Sequence, residues 1–238
     1  MLYSNHTGHA TVSGRPLPPV ELEEMVEACE KNNFLSGVRA LLTGYLPTQE
    51  HVKFASSLFQ RIQKLSPDVV LVCDPILGDM PKGLYVSEET AQSIRTDLVP
   101  LAHVITPNFF EFSWLTGETS SRHDDMIKAA RLLACSSVVI TSVPCGERKL
   151  STLLVEKNSA QLVMQEKLPS VPHGTGDVLS GLLTGYLAME KREDNILGKV
   201  IGVLDAVLKS SVGFSDLQLL PTLHRHEMLE PFPIETLL

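Results

Sequence analysis

The segment Val69-Val70-Leu71-Val72-Cys73-Asp74-Pro75 is the clearest indication of the fold class in this sequence. Five apolar residues, three of them β-branched, are followed at once by an acidic residue and a proline. A short run that is apolar throughout is typical of a strand buried on both faces of a parallel sheet. Other short apolar runs also end in polar residues, and they cover 38–42, 103–105 and 138–140.

Longer segments with helical spacing of apolar residues separate these runs. They cover 19–32, 48–64, 87–98, 108–117, 123–134, 176–190 and 194–211. Strands that alternate with helices of this size indicate βαβ units and an α/β fold with a mostly parallel central sheet. We expect residues 1–238 to form a single domain.

The remaining segments are predicted as edge structure and loops. The runs 151–155 and 161–165 flank a turn at 157–159, which predicts an antiparallel hairpin at one edge of the sheet. The proline-rich stretch 13–19 is interpreted as a loop before the first helix, and the tail from Pro221 as an irregular surface strap.

Composition excludes several classes of protein. Lys and Arg total 20 against 28 Asp and Glu, a net charge of −8, so the chain lacks the basic surface that nucleic acid requires. Every apolar run is shorter than the roughly 18 residues of a membrane helix. The four cysteines form no C-x-x-C pair, and this usage is typical of a reducing cytoplasm.

Polar residues collect where the predicted strands end. Ligands of open parallel sheets bind beyond the carboxyl ends of the strands, so these side chains are candidates for a binding site. Each of them alone could instead cap the helix that follows. The residues are Thr43, Asp74, Asp79, Thr106, Asn108, Glu111, Thr141 and Ser142.

The motif His173-Gly174-Thr175-Gly176-Asp177 precedes an apolar helical segment. Two glycines allow a tight turn whose backbone N–H groups point into one concavity at a helix N-terminus, which favours anions. Asp177 at such a site could take a proton from a hydroxyl that attacks a phosphoryl group. It could equally cap the helix, and the spacing alone leaves both interpretations open. The P-loop, the Rossmann G-x-G-x-x-G and the G-x-S-x-G motif are absent from the sequence.

The Gly174–Asp177 motif resembles the anion-hole and catalytic-base signature of the ribokinase-like superfamily. Five further segments resemble the pyridoxal kinase family within it, and they occur in that family's order. They are Ser4–Gly8, Leu42–Tyr45, Val72–Asp79, Ile105–Glu111 and Val139–Ser142. The resemblance implies a three-layer α/β/α fold.

The resemblance also implies an activity: ATP-dependent phosphorylation of the 5′-hydroxymethyl group of pyridoxal, pyridoxine or pyridoxamine, by a homodimer. Asp177 would be the base, and the amides of Gly174, Thr175 and Gly176 would stabilise the phosphoryl group. The ATP phosphates would meet Asn108, Thr141, Ser142 and Thr175. The vitamer would meet His6, Thr7, Tyr45 and Asp177. Mg²⁺, and a monovalent cation such as K⁺, would lie near Asp74, Asp79, Thr106 and Glu111.

The chain departs from this family at its start. Family members begin with a strand that ends in a serine, a loop with glycine and asparagine, and a helix, all before the segment that matches Ser4–Gly8. Because Met1 stands almost at that segment, we expect an N-terminally truncated member with an exposed sheet edge. A non-catalytic or vitamer-binding relative, or another ribokinase-like kinase such as one for hydroxymethylpyrimidine, stay as alternatives.

Overall fold

The computed structural model describes residues 2–5, 9–189 and 195–237. The strands are β1 (Leu2–Ser4), β2 (Gly14–Pro16), β3 (Ala40–Thr43), β4 (Val70–Cys73), β5 (Gly78–Asp79), β6 (Gly83–Leu84), β7 (Val104–Ile105), β8 (Ser137–Cys145), β9 (Lys149–Glu156), β10 (Ala160–Glu166) and β11 (Glu235–Leu237). The helices are α1 (Pro19–Lys31), α2 (Gln49–Leu65), α3 (Glu88–Ser93), α4 (Phe109–Thr116), α5 (His123–Ala130), α6 (Thr175–Ala188), α7 (Ile196–Ser211) and α8 (Leu219–Leu223). A π-helical turn, Ile94–Leu98, and a 3-10 turn, Val99–Leu101, extend α3.

The central sheet has seven strands in the order β11-β10-β9-β8-β7-β4-β3 across the described ranges. Strands β3, β4, β7 and β8 pair in parallel, whereas β9 pairs antiparallel with both β8 and β10, and β11 pairs antiparallel with β10. The mostly parallel sheet and the predicted antiparallel hairpin are therefore confirmed.

Helices cover both faces of this sheet, which confirms the three-layer α/β/α architecture. One core packs α2, α3, α4 and α5 against the sheet, with Phe59 and Phe112 buried in it. The other core packs α6 and α7 against the opposite face. Strand β4 supplies Leu71 and Cys73 to the first core and Val72 to the second. Both faces of β4 are buried, which is why its sequence is apolar without alternation.

Two sequence predictions were wrong. The stretch 13–19 is not wholly a loop, because β2 pairs antiparallel with β1, joining Leu2 to Pro16 and Ser4 to Gly14. The tail is not wholly irregular, because it forms α8 and β11, which covers the antiparallel edge of the sheet. The tail also packs closely on α7, where the Phe232 N–H donates to the Gly198 carbonyl at 2.8 Å.

The other edge of the sheet is β3, since no described strand pairs with its outer side. Leu42 on this edge strand is 36% exposed. The expected truncation before residue 2 stays a prediction. Within the described part of the chain, no helix is both long and apolar enough to cross a membrane.

Candidate active site

Backbone hydrogen bonds bring the carboxyl ends of the parallel strands together. The Asp74 N–H donates to the Thr43 carbonyl at 2.9 Å, and the Thr106 N–H donates to the Cys73 carbonyl at 3.0 Å. Thr141 forms an isolated parallel bridge with Asn108. The residues predicted at the ends of β3, β4 and β7 and within β8 therefore share one edge of the sheet.

Asn108 and Glu111 form a capping box at the start of α4. The Asn108 side chain accepts the Glu111 N–H at 2.9 Å, and the Glu111 carboxylate accepts the Asn108 N–H at 2.8 Å. For these two residues, the alternative that they cap a helix holds. Their side chains also reach the loop after β4: Glu111 Oε1 accepts the Leu77 N–H at 2.8 Å, and Asn108 Nδ2 donates to the Gly78 carbonyl at 2.9 Å.

This anchoring fixes the loop that carries Asp79. Asp79 is exposed, and its carboxylate accepts the N–H of Met80 at 2.8 Å. Tyr85 lies near Asp79 and Glu111. Burial raises the pKa of the Tyr85 hydroxyl, and the charges of these two carboxyls raise it further. Burial and, less strongly, the charge of Asp74 raise the pKa of Glu111 to about 8, although backbone N–H groups oppose the shift.

Asp74 is a buried carboxyl beneath the exposed Asp177. Only 6% of Asp74 is exposed. Burial is the main cause that raises its pKa to about 7, and the charge of Asp177 adds to the shift. Hydrogen bonds from Ser180 and from the Ile76 backbone act in the opposite direction. The site thus holds a carboxyl that ionises near neutral pH next to a second, exposed carboxyl.

The burial of Asp74 predicts that the difference in stability between the wild type and Asp74→Asn depends on pH in metal-free buffer. An unfolded aspartate ionises near 3.8, but folded Asp74 ionises near 7, so the wild type loses stability as the pH rises from about 4 to about 7. Asparagine carries no such penalty. We expect the variant to be more stable than the wild type at pH 8, by on the order of 2–4 kcal/mol, and to match it at pH 4.

Thermal unfolding measured from pH 4 to pH 8 checks this difference. The matched control is Asp68→Asn, which changes an exposed acid and should follow the wild-type pH dependence. An Asp74→Asn variant that is destabilised equally at both ends of the range would contradict the assignment of a buried, neutralised carboxyl.

The turn before α6 begins at a glycine in the left-handed region. Gly174 is the N-cap residue with φ +99°, a conformation that favours glycine, and no side chain in the described ranges caps the first turn. Asp177 lies in that turn and is exposed, and its carboxylate makes no hydrogen bond to any residue in the described ranges. Within the described ranges, Asp177 therefore makes no capping hydrogen bond, although it is an acid in the first turn of the helix.

Several oxygen atoms are suited to a hard cation. Among the described residues, the buried hydroxyl of Thr106 has no hydrogen-bond partner, and Thr106 is 5% exposed. Thr106 and Asp74 follow the adjacent strands β7 and β4, and such an orphaned oxygen there fits Mg²⁺ or K⁺, which prefer oxygen ligands. In the described part of the chain, no group of three His, Cys, Asp or Glu side chains is placed so that it could hold a metal ion.

For the other predicted residues, which belong to the nucleotide and vitamer sites, the structure describes fewer contacts. Ser142 is exposed with φ +58°, at the irregularity in β8 between Ile140 and Val143. Tyr45 follows β3 and packs against the first core. His6 and Thr7 lie outside the described residues.

Sequence reasoning missed two neighbours of the Gly174–Asp177 turn. Ser180, one turn after Asp177, is 1% exposed and hydrogen-bonds Asp74. Leu217 covers the turn from the other side, with its Cδ1 3.5 Å from where a Cβ on Gly174 would lie. The i+3 spacing of Ser180 from Asp177 was a usable signal, whereas Leu217 lies far away in sequence.

Comparisons with known proteins show the family to which the chain belongs. The phosphomethylpyrimidine kinase family model matches residues 10–212. A pyridoxine/pyridoxal/pyridoxamine kinase from Bordetella avium is 35% identical over 79% of this chain, and the match spans 65% of that relative. The pyridoxal kinase of Homo sapiens is 30% identical over 88% of this chain and 73% of the relative. The chain belongs to the pyridoxal kinase family.

Solved structures of the family match nearly the whole chain. A pyridoxal kinase from Leishmania donovani in complex with ADP and pyridoxamine has a TM-score of 0.88 and 26% identity, covering 98% of this chain and 86% of that one. A Bacteroides thetaiotaomicron protein, described as a phosphomethylpyrimidine kinase and crystallised with pyridoxal, has a TM-score of 0.84 and 25% identity, covering 98% and 85%. The α/β fold of this pyridoxal kinase family member is thus shared with ligand-bound relatives.

Proposed function

We propose that the chain transfers the γ-phosphoryl group of ATP to the 5′-hydroxymethyl group of pyridoxal, and of pyridoxine and pyridoxamine. One observation supports this most: the Asp177 carboxylate lies in the first turn of α6, and among the described residues this carboxylate has no hydrogen-bond partner and no side chain caps that turn. A base and a set of anion donors are thereby adjacent, as phosphoryl transfer requires. The Leishmania relative with ADP and pyridoxamine supports both ligands.

The reaction then follows from the roles of two groups. Asp177 accepts the proton of the vitamer hydroxyl while its oxygen forms a bond to the γ-phosphorus, and the bond from that phosphorus to the ADP oxygen breaks. The N–H groups of the Gly174-Thr175-Gly176 turn donate to the phosphoryl oxygens, whose negative charge they stabilise. No covalent bond to the protein is needed.

The cation residues divide into two groups. We assign Asp74, Asp79 and Thr106 to the cations, because the Asp79 carboxylate is exposed, Asp74 lies next to Thr106 at the ends of β4 and β7, and the Thr106 hydroxyl has no partner among the described residues. Mg²⁺, when bound, neutralises charge on the phosphates. Glu111 acts on the loop after β4 through the backbone amides that it accepts. A K⁺ site stays a prediction that rests on the resemblance.

The remaining contacts are assigned by position. Thr141, Ser142 and Asn108 would meet the nucleotide phosphates together with Thr175, and Tyr45 would form part of the vitamer pocket with His6 and Thr7. A homodimer and a cytoplasmic location also stay predictions, the latter supported by four cysteines that all lack disulfide bonds.

A second candidate function is phosphorylation of hydroxymethylpyrimidine, which the match to the phosphomethylpyrimidine kinase family model favours. Both substrates should be offered separately to the purified chain with Mg-ATP, and ADP release measured. We expect kcat/KM for pyridoxal to exceed that for hydroxymethylpyrimidine at least ~10-fold, a difference of about 1.4 kcal/mol in transition-state binding. The reverse preference would establish the second candidate. If no ADP is released with either substrate, the result would support the non-catalytic alternative.

A further inference from the structure

Ser180 is a buried hydroxyl inside α6 to which the proposed reaction gives no role. It is 1% exposed and lies three residues after Asp177, so it sits directly below the first turn of the helix. The single proton of its Oγ is shared between the Gly176 carbonyl at 3.0 Å and the Asp177 carbonyl at 3.2 Å. Both acceptors belong to the turn that carries the base.

The same hydroxyl reaches the sheet through Asp74. The Asp74 carboxyl lies close to the Ser180 hydroxyl and to the Ile76 backbone, and both interactions lower its pKa against the effect of burial. The Asp74 N–H in turn donates to the Thr43 carbonyl at 2.9 Å, so Asp74 is fixed to the ends of β3 and β4. Ser180 therefore lies between the first turn of α6, whose carbonyls it bonds, and the Asp74 carboxyl at the end of β4.

The turn has few other restraints. Leu217 packs against Gly174, but a Cβ on Gly176 would meet nothing within 4 Å, and among the described residues no side chain caps the helix. Open N–H groups suit an anion, but they leave the turn free to shift. A displacement of about 1 Å at a reacting group can cost on the order of 100-fold in rate.

We propose that Ser180 is a positioning residue that holds the first turn of α6, and with it Asp177, at a fixed distance from Asp74. This inference rests on the proposed phosphoryl transfer. Ser180 does not touch substrate; it acts through the backbone of Gly176 and Asp177 and through the Asp74 carboxyl.

The same helix offers a matched control. Thr184 Oγ1 donates to the Ser180 carbonyl at 2.6 Å, so it makes the same kind of side-chain bond one turn further along. Thr184→Val removes that bond but touches neither Asp74 nor the first turn. Ser180→Ala removes the hydroxyl under test, and Ser180→Thr keeps it. Thermal unfolding shows that each variant is folded before it is compared.

Two measurements test the proposal, one with turnover and one without. For Ser180→Ala, we expect kcat with pyridoxal to fall about 10-fold while KM changes less than about 3-fold, since only the alignment of the base is lost. In the ligand-free protein, amide hydrogen exchange of Val178 to Ser180 should accelerate about 10-fold. Ser180→Thr should restore both values to within about 3-fold, and Thr184→Val should match the wild type.

Opposite results overturn the proposal in distinguishable ways. Wild-type kcat and exchange in Ser180→Ala would show that the hydroxyl positions nothing. Equal losses of kcat in Ser180→Ala and Thr184→Val would show a general loosening of the helix instead. A wild-type chain that forms no pyridoxal phosphate would overturn the proposed function, and hydrogen exchange alone would then decide whether Ser180 holds the turn.

Discussion

Asp177→Asn should lower kcat for pyridoxal phosphorylation at least ~100-fold, the scale expected when a general base is removed. Asparagine keeps the shape of the side chain but cannot accept the proton of the attacking hydroxyl. Asp177 is exposed and makes no hydrogen bond to the described residues, so the substitution should not change the unfolding temperature by more than a degree or two. A coupled assay for ADP and the absorbance of pyridoxal phosphate together measure the loss.

The matched control is Asp124→Asn in the first turn of α5. Asp124 is also an exposed acid at a helix N-terminus, so its replacement removes a similar interaction with the helix dipole but no base. We expect wild-type kcat from it. Asp177→Ala should be as slow as Asp177→Asn, and near-normal turnover in either Asp177 variant would show that another group takes the proton.

Gly78→Ala should destabilise the fold by about 3 kcal/mol and abolish turnover, because the new methyl group has no room. A Cβ at Gly78 would overlap the Gly83 carbonyl oxygen and lie 2.7 Å from Cε1 of Phe110. Gly83 belongs to the facing strand of the β5–β6 hairpin, so backbone has to move. The neighbouring Asp79 would move with it. Urea unfolding and kcat measure the two effects.

Gly44→Ala serves as the control for Gly78→Ala. Gly44 lies on the neighbouring loop after β3, and a Cβ there would lie 3.4 Å from Cδ1 of Ile76, the flexible end of a side chain. We expect its stability to stay within about 1 kcal/mol of the wild type. A Gly78→Ala variant as stable as Gly44→Ala would mean that the β5–β6 hairpin is not closed as described.

The layers and the main strands of the fold could be predicted because burial on two faces leaves a clear pattern in the sequence. Strand β4 shows this best, since its alternate residues enter opposite cores. The short pairs β1–β2 and β5–β6 could not be predicted, because strands of two or three residues carry too little periodicity. Strand β11 depends on a partner, β10, that lies far away in sequence.

The sequence could predict which residues belong to the site, but not the role of each of them. The sequence predicts Asp74, Glu111 and Asp177 close together at the carboxyl ends of the parallel strands. In the structure, Asp74 lies close to both of the other carboxyls. Spacing did not distinguish a ligand from a capping residue, and here the geometry differs between residues: Glu111 bonds backbone N–H groups, whereas Asp177 bonds none in the described ranges. The link from Ser180 to Asp74 depends on how α6 packs on β4, which only the tertiary structure shows.

The most direct test of phosphoryl transfer to pyridoxal measures both reaction products that the purified 238-residue chain forms. Pyridoxal and Mg-ATP should give pyridoxal 5′-phosphate and ADP in a one-to-one ratio, with the rate proportional to the amount of chain and at least ~100-fold lower for Asp177→Asn. Folded wild-type protein that forms no pyridoxal phosphate above a control without enzyme would contradict the proposed function.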